Sequence, residues 1–149
     1  MLKEFLRESN EIEGISRDPT PGEHSAAMRF LDLDSINIAD VCRLQSAIAP
    51  GRPLRDRPDM NVKVGNYRAP RGGPEIADRL ARICCTAAQE MNAWKTHVEF
   101  EALHPFLDGN GRTGRLIWAW QMMKCGDDPF TLPFLHRFYY QSLENVRLH

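Results

Sequence analysis

Residues 76–98, IADRLARICCTAAQEMNAWKTHV, place Ile76, Leu80, Ile83, Cys84, Ala87, Met91, Trp94 and Val98 at spacings of three and four. That is the apolar stripe of an amphipathic helix, and it predicts one long central helix over 76–98. Downstream, Leu116, Ile117, Trp120 and Met123 continue a second strong helix that stops at Gly126, and Leu135, Phe138, Tyr139, Leu143 and Val146 mark a last one. Upstream, the stretch from Gly51 to Pro74 holds Pro53, Pro58, Pro70 and Pro74 with Gly65, Gly72 and Gly73, which together forbid a long helix. Inside it, Val62-Lys63-Val64 and Tyr67-Arg68 flank Gly65-Asn66, a pair that tolerates the positive φ of a tight hairpin. A long loop with its own hairpin is commonly functional.

Further back, helical patterns run from Glu23 to Leu33 and from after Ser35 to Ile48, ended by Pro50-Gly51. The N-terminal segment predicts a short helix from Leu2 to about Glu13, stopped by Gly14. Leu2, Phe5, Leu6, Ser9 and Ile12 fill one face of it; Glu4, Arg7, Glu8 and Glu11 lie on the other, and Glu13 falls within the apolar face. The expected fold is mainly α, a single domain with one small β-hairpin.

Composition agrees with one compact domain: 149 residues, 42% hydrophobic and 26% charged. A chain of this length buries roughly 68–70% of its unfolded surface, so it needs no disulfide or structural metal. Lys and Arg number 19 against 20 Asp and Glu, a net charge of -1, which lacks the bulk positive field of a dedicated nucleic-acid binder while leaving room for a local basic patch. Cys42, Cys84, Cys85 and Cys125 include two neighbours and no C-x-x-C spacing, so they read as free cytosolic thiols. Met1-Leu2-Lys3-Glu4-Phe5 is charged where a signal peptide would be apolar, and no run approaches the roughly 18 apolar residues of a membrane span. A cytoplasmic protein with no membrane partner is expected.

The chemistry is concentrated between the two strong helices, in His104-Pro105-Phe106-Leu107-Asp108-Gly109-Asn110-Gly111-Arg112-Thr113-Gly114-Arg115. Pro105 disfavours a right-handed helical conformation at His104, and Gly109-Asn110-Gly111 opens the backbone just before a helix begins. Free N–H groups and the positive end of a helix dipole then face the loop, an arrangement suited to phosphate. Arg112 and Arg115 oppose that dipole and share one face, so they call for an anion: a phosphate held by guanidinium forks, or surface carboxylates. Asp108 is either an N-cap or a Mg²⁺ ligand, since Mg²⁺ in phosphate sites needs only one or two protein carboxylates. His104 is either a hydrogen-bonded core residue or a general base, its imidazole being neutral at cytosolic pH.

Other motifs fail on their letters. Residues 109–116 imitate a P-loop without its Lys or Ser/Thr, His97-Val98-Glu99 has no P-C-x-x-C after it, and His97 with His104 is not H-E-x-x-H.

The run HPFLDGNGRTGR resembles the signature of the Fic family (filamentation induced by cAMP), HPF-x-D/E-GNGR-x-x-R, with every fixed position present. The preceding HVEFEAL, the central helix and the hairpin loop are also similar to the family core, from about Ser35 to Leu143. The resemblance implies a Fic-like helical bundle with a β-hairpin flap and a protein adenylyltransferase. In it, a Tyr, Thr or Ser hydroxyl of a target protein attacks the α-phosphate of ATP and pyrophosphate leaves. By the same resemblance His104 is the base, Asp108 the Mg²⁺ ligand, and Gly109, Asn110 and Gly111 the cradle for the α- and β-phosphates. Arg112 and Arg115 hold the β- and γ-phosphates. Phe106 is a core anchor. Lys63, Val64 and Gly65 form the flap that aligns the target by strand addition, and Tyr139 or Tyr140 lines either the adenine side or the core. Ser9-Asn10-Glu11-Ile12-Glu13-Gly14 resembles the shorter inhibitory motif S/T-x-x-x-E-G/N, so residues 1–15 are expected to inhibit a catalytic core of 16–149 through Ser9, Glu13 and Gly14, with Glu13 holding Arg115. The alternatives are a nucleotide-binding regulatory module without turnover, or a family member that removes AMP or moves another phosphate-linked group. The expected partner is a protein with an acceptor hydroxyl. Nucleic acid is not expected as a ligand, and a homo-oligomer stays open.

Overall fold

Capping chemistry sets where the first helices begin. The computed structural model describes residues 1–90 and 92–130. Helix α1 spans Leu2–Ile12, α2 Pro21–Leu31 and α3 Ile38–Ile48. Thr20 and Glu23 form a reciprocal capping box at the start of α2, and Asn37 and Asp40 form another at α3. These boxes explain why α2 starts two residues before the expected span and why α3 waits until Ile38; α2 also ends two residues early, at Leu31.

Helix α1 ends in a Schellman arrangement: Gly14 N–H donates to Glu11 O and Ile15 N–H to Asn10 O, both at 2.9 Å, with Gly14 at φ +75°. Only a residue at ease in the left-handed region closes this turn cheaply. Glu13 is therefore the C-cap, one residue beyond the helix, and not a member of the apolar face as its periodicity suggested.

The hairpin forms as expected, with β1 (Lys63–Val64) antiparallel to β2 (Tyr67–Arg68) across Gly65-Asn66. The single central helix does not. It is two helices, α4 (Pro74–Gln89) and α5 (Ala93–Leu103). Glu90 is extended, and the Asn92 side chain accepts the Lys95 N–H at 3.0 Å, so Asn92 opens a new helix. The break also shifts the buried face. Ala93, Thr96, His97, Phe100 and Leu103 are buried in α5, whereas Trp94 is 39% exposed.

Helix α6 (Asn110–Lys124) is the centre of the fold, packed on α5, α3, α2 and α1. It starts six residues before the Leu116 stripe because residues 112–117 are buried on every side, which erases helical periodicity. Leu116, Ile117, Ala119 and Trp120 join Phe5, Leu6, Phe30, Leu44, Ile76, Leu80 and Phe100 in one core cluster. None of the four cysteines is in a disulfide, and burial pushes the Cys84 thiol up to about 12, so it acts as a small hydrophobe. Among the described residues six helices and one two-stranded sheet make the mainly α fold, and none of those helices is long and apolar enough to cross a membrane. The expected last helix over 135–146, with Tyr139 and Tyr140, lies outside the described residues.

Candidate active site

His104 is the C-cap of α5 and sits in the left-handed region at φ 50°, ψ 60°, the conformation left to it once Pro105 disfavours the right-handed helix. A non-glycine residue there costs roughly 1–2 kcal/mol and persists because its surroundings hold it. Its N–H donates to Phe100 O at 2.9 Å, and its carbonyl accepts from Arg55 Nε at 2.7 Å. The half-buried imidazole places Nδ1 3.4 Å from Glu101 O. A ring that donates Nδ1–H to that carbonyl carries its lone pair on Nε2, the tautomer of a general base.

Phe106 is wholly buried, as its role of anchor requires. The loop closes over it through Asn110, whose side-chain oxygen accepts Phe106 N–H at 2.9 Å and whose amide donates to Phe106 O at 2.8 Å. What Asn110 offers a phosphate is thus its backbone N–H, since its side chain is engaged. Gly109, at φ 77°, is the N-cap of α6. Asn110, Gly111 and Arg112 occupy the first helical positions, whose N–H groups have no acceptor within the helix. Asp108 is not the cap. It is exposed, and its Oδ1 accepts the Gly109 N–H at 2.8 Å.

Neither arginine of the motif reaches the surface. Arg112 donates to Ile48 O at 3.3 Å, while its buried Nε has no hydrogen-bond partner among the described residues. Burial lowers the Arg112 pKa, opposed by the charges of Asp108, Glu13 and Glu23. Arg115 is fully buried. Its Nε donates to Ser9 Oγ at 2.7 Å, and one terminal nitrogen donates to Ser9 O at 3.0 Å and to Glu13 Oε1 at 2.7 Å. The Glu13 side chain, 33% exposed, rests against Gly111, where a Cβ would collide with its carboxylate. A carboxylate therefore lies beside the first turn of α6, between that helix end and Arg115. Next to Arg112 the space among Leu6, Ser9, Glu23 and Ile48 is only about 10 Å³.

The hairpin residues Lys63, Val64 and Gly65 are brought to the same end of the molecule. Tyr67 on β2 donates its hydroxyl to Ala102 O at 2.6 Å, two residues before His104.

Two residues of the site carried no local signal. Arg55 stands in a proline-rich loop and reads as a surface arginine, yet it is completely buried without a carboxylate partner among the described residues. It donates to Met60 O at 3.0 Å, Pro70 O at 2.8 Å, Leu103 O at 2.9 Å and His104 O. Alongside, Leu54 bridges Phe106, Arg55 N–H donates to Pro105 O, and Leu107 N–H donates to Pro53 O. The hairpin loop is thereby stitched to the His104 loop. Burial lowers the Arg55 pKa. Gln45, from α3, likewise donates to Asp108 O at 3.0 Å and Arg52 O at 2.6 Å. Arg55→Met should cost at least about 3 kcal/mol, because it strands several buried carbonyls at roughly 1–3 kcal/mol each. Arg55→Lys should recover only part of this, having no planar fork. Urea unfolding measures both, and a loss under about 1 kcal/mol for Arg55→Met would deny Arg55 this structural role.

The profile of the Fic/DOC family matches residues 35–122. The protein adenylyltransferase fic-1 of Caenorhabditis elegans is 30% identical over 163 residues, and that of Caenorhabditis briggsae 45% identical over 162 residues. Each alignment covers 96% of this chain, which spans about 30% of either relative. A solved structure of Fic-1 (residues 134–508) from C. elegans superposes with a TM-score of 0.73 at 23% identity, over 99% of this chain and 56% of that one. With more than half of its residues matched by the family profile and the HPFLDGNGRTGR loop built as described, the chain belongs to the Fic/DOC family.

Proposed function

We propose that the protein is a protein adenylyltransferase, moving AMP from ATP to a Tyr, Thr or Ser hydroxyl of a target protein. The observation that carries this is the juxtaposition of His104, held in a left-handed conformation, with the N-terminus of a helix whose first two turns carry two buried arginines. Such a cradle suits a polyphosphate. Gly109, Asn110 and Gly111 would supply backbone N–H groups, and Arg112 and Arg115 would hold the outer phosphates. His104 accepts the proton of the acceptor hydroxyl as its oxygen bonds to the α-phosphorus; the bond from that phosphorus to the β-bridging oxygen breaks, and pyrophosphate leaves. Lys63, Val64 and Gly65 would align the target along the hairpin edge. Free thiols accord with a cytoplasmic setting.

Mg²⁺ fits this site through Asp108. Among the described residues no group of three acidic, His or Cys side chains could cage a metal, but Mg²⁺ beside phosphates needs only one or two carboxylates. Asp108 is exposed at the cradle with Oδ1 tied to its own loop. The ion would neutralise charge on the phosphates. Asp108→Ala should abolish Mg²⁺-dependent transfer while unfolding free energy moves by about 0.5–1.5 kcal/mol, the worth of the one hydrogen bond it accepts from Gly109 N–H. Undiminished transfer by that variant would remove Asp108 from the metal site.

Residues 1–15 would act as an inhibitory segment on the core of 16–149. Glu13 supports this reading by pairing with Arg115 at the head of α6, where an outer phosphate would otherwise lie. The deciding experiment supplies α-labelled and γ-labelled ATP to the Glu13→Gly protein in a lysate. Protein label from the α position only, with a mass increase of one AMP, is expected. Label from the γ position means phosphorylation, and nucleotide binding without protein label means a regulatory module.

A further inference from the structure

Unpaired positive charge is concentrated around the hairpin. On the rest of the described surface, Lys3, Arg7, Arg17, Arg43, Lys95 and Lys124 are in ion pairs, and Arg29, Arg79 and Arg82 are the exceptions. By contrast, Arg52, Lys63, Arg68 and Arg71 are exposed and have no ion-pair partner among the described residues, while the Arg57–Asp59 contact is a loose 4.0 Å. Their sole acidic neighbours in the 51–71 sequence are Asp56 and Asp59. A cavity of about 460 Å³ opens here, lined by Asn61, Val62, Arg68, Ala69 and Arg71, with no carboxylate in its wall. A second cleft of about 300 Å³ holds Arg79 and Arg82, but Glu99 faces them there. The cleft whose charged wall is wholly positive is thus the one on the hairpin.

Its position ties it to the reaction. Pro70 O and Met60 O, at the neck of the hairpin, and His104 O all accept from the one guanidinium of Arg55. The cleft is therefore anchored to the His104 loop through the same side chain.

From this charge and placement we propose that the hairpin cleft docks an acidic segment of the target protein, with carboxylates near the acceptor hydroxyl meeting Lys63, Arg68 and Arg71. The proposal rests on the adenylyltransferase reading and adds a class of substrate to it. An uncompensated cluster of like charge on a chain of net charge -1 is electrostatically costly until an anionic partner arrives, and it speeds encounter with one. A nucleic acid fits less well, because affinity for it comes from many phosphate contacts and the exposed basic residues here are few.

The test uses the full chain carrying Glu13→Gly, with and without Arg68→Gln and Arg71→Gln. Fluorescence anisotropy follows binding of a labelled random Glu/Tyr copolymer and of a Lys/Tyr copolymer with the same tyrosine content. Binding of the Glu/Tyr polymer only is expected, weakening about tenfold in the double variant and falling as salt rises. Labelled ATP should then mark the Glu/Tyr polymer in preference. Equal binding of the two polymers, or no effect of the double variant, overturns the proposal. So does tighter binding at this cleft by an RNA oligonucleotide or a phosphatidylserine vesicle. The binding measurement stands without turnover. If the polymer binds as expected but no protein or polymer acquires AMP, the adenylyltransferase reading fails and the acidic docking cleft remains.

Discussion

His104→Ala should bind ATP like its parent and transfer AMP about 10²–10⁴-fold more slowly, the usual consequence of losing a general base. Binding survives because the cradle is built from backbone N–H groups of α6 and from Arg112 and Arg115, none of which depends on the imidazole. The loop survives because its restraints are main-chain: His104 N–H to Phe100 O, and Arg55 to the His104 carbonyl. Alanine, like histidine, carries a Cβ in the left-handed region, so the strain there is of the same kind and the variant's added cost is small beside the main-chain restraints. The measurement is single-turnover transfer at saturating ATP in the Glu13→Gly background, with nucleotide affinity read separately by calorimetry. Transfer at the parent rate would strike His104 from the mechanism; a matching loss of ATP affinity would recast it as a binding residue.

Glu13→Gly should raise AMP transfer by about 10–10²-fold, the worth of roughly one charge-assisted hydrogen bond at 1.5–3 kcal/mol. With the carboxylate present, Arg115 already has an anion 2.7 Å away, and an incoming γ-phosphate must displace it. Without it, a fully buried guanidinium loses its anion while still donating to the Ser9 hydroxyl and carbonyl. Breaking a buried pair by removing one partner costs about 3–5 kcal/mol; the one-third exposure of Glu13 reduces that here. The unliganded variant should therefore melt earlier, and ATP should restore its melting temperature more than it raises the parent's, because a ligand stabilises by its affinity for the folded state. Arg115→Ala in the Glu13→Gly background should reverse the gain in transfer. A folded Glu13→Gly protein that binds ATP no better and transfers no faster on a proven target ends the inhibition reading and leaves His104 untouched.

How far the sequence can be read depends on the range of the interaction. The hairpin turn at Gly65-Asn66, the stop at Gly14 and the helix start after Gly109 are local backbone chemistry, and they lie where their residues put them. The break at Glu90 was hidden because the three-and-four spacing of apolar residues runs through it, although Asn92 supplied a cap signal. Trp94 and Val98 fit that stripe by coincidence, while the buried face of α5 carries Thr96 and His97, the latter bonded to Gly114 O at 3.0 Å. In the site, the residues of 104–115 were legible as a motif, since their chemistry is contiguous. Arg55 and Gln45 were not: each works by donating to distant backbone carbonyls, a role any polar side chain in a loop or helix can hide.

The Arg55 clamp also bears on how this centre comes into being. Its bond to His104 joins residues 49 apart in the chain, Gln45 reaches Asp108 across 63, and Arg115 reaches Ser9 across 106. Each closes a long loop, whose entropy is spent before the contact is made. Such non-local closures come late relative to helix formation, and folding slows as their separation grows. A peptide copy of 104–115 would hold the letters of the motif without the restraints that set His104, and a nascent chain would lack them until Gln45 and Arg55 have met that loop.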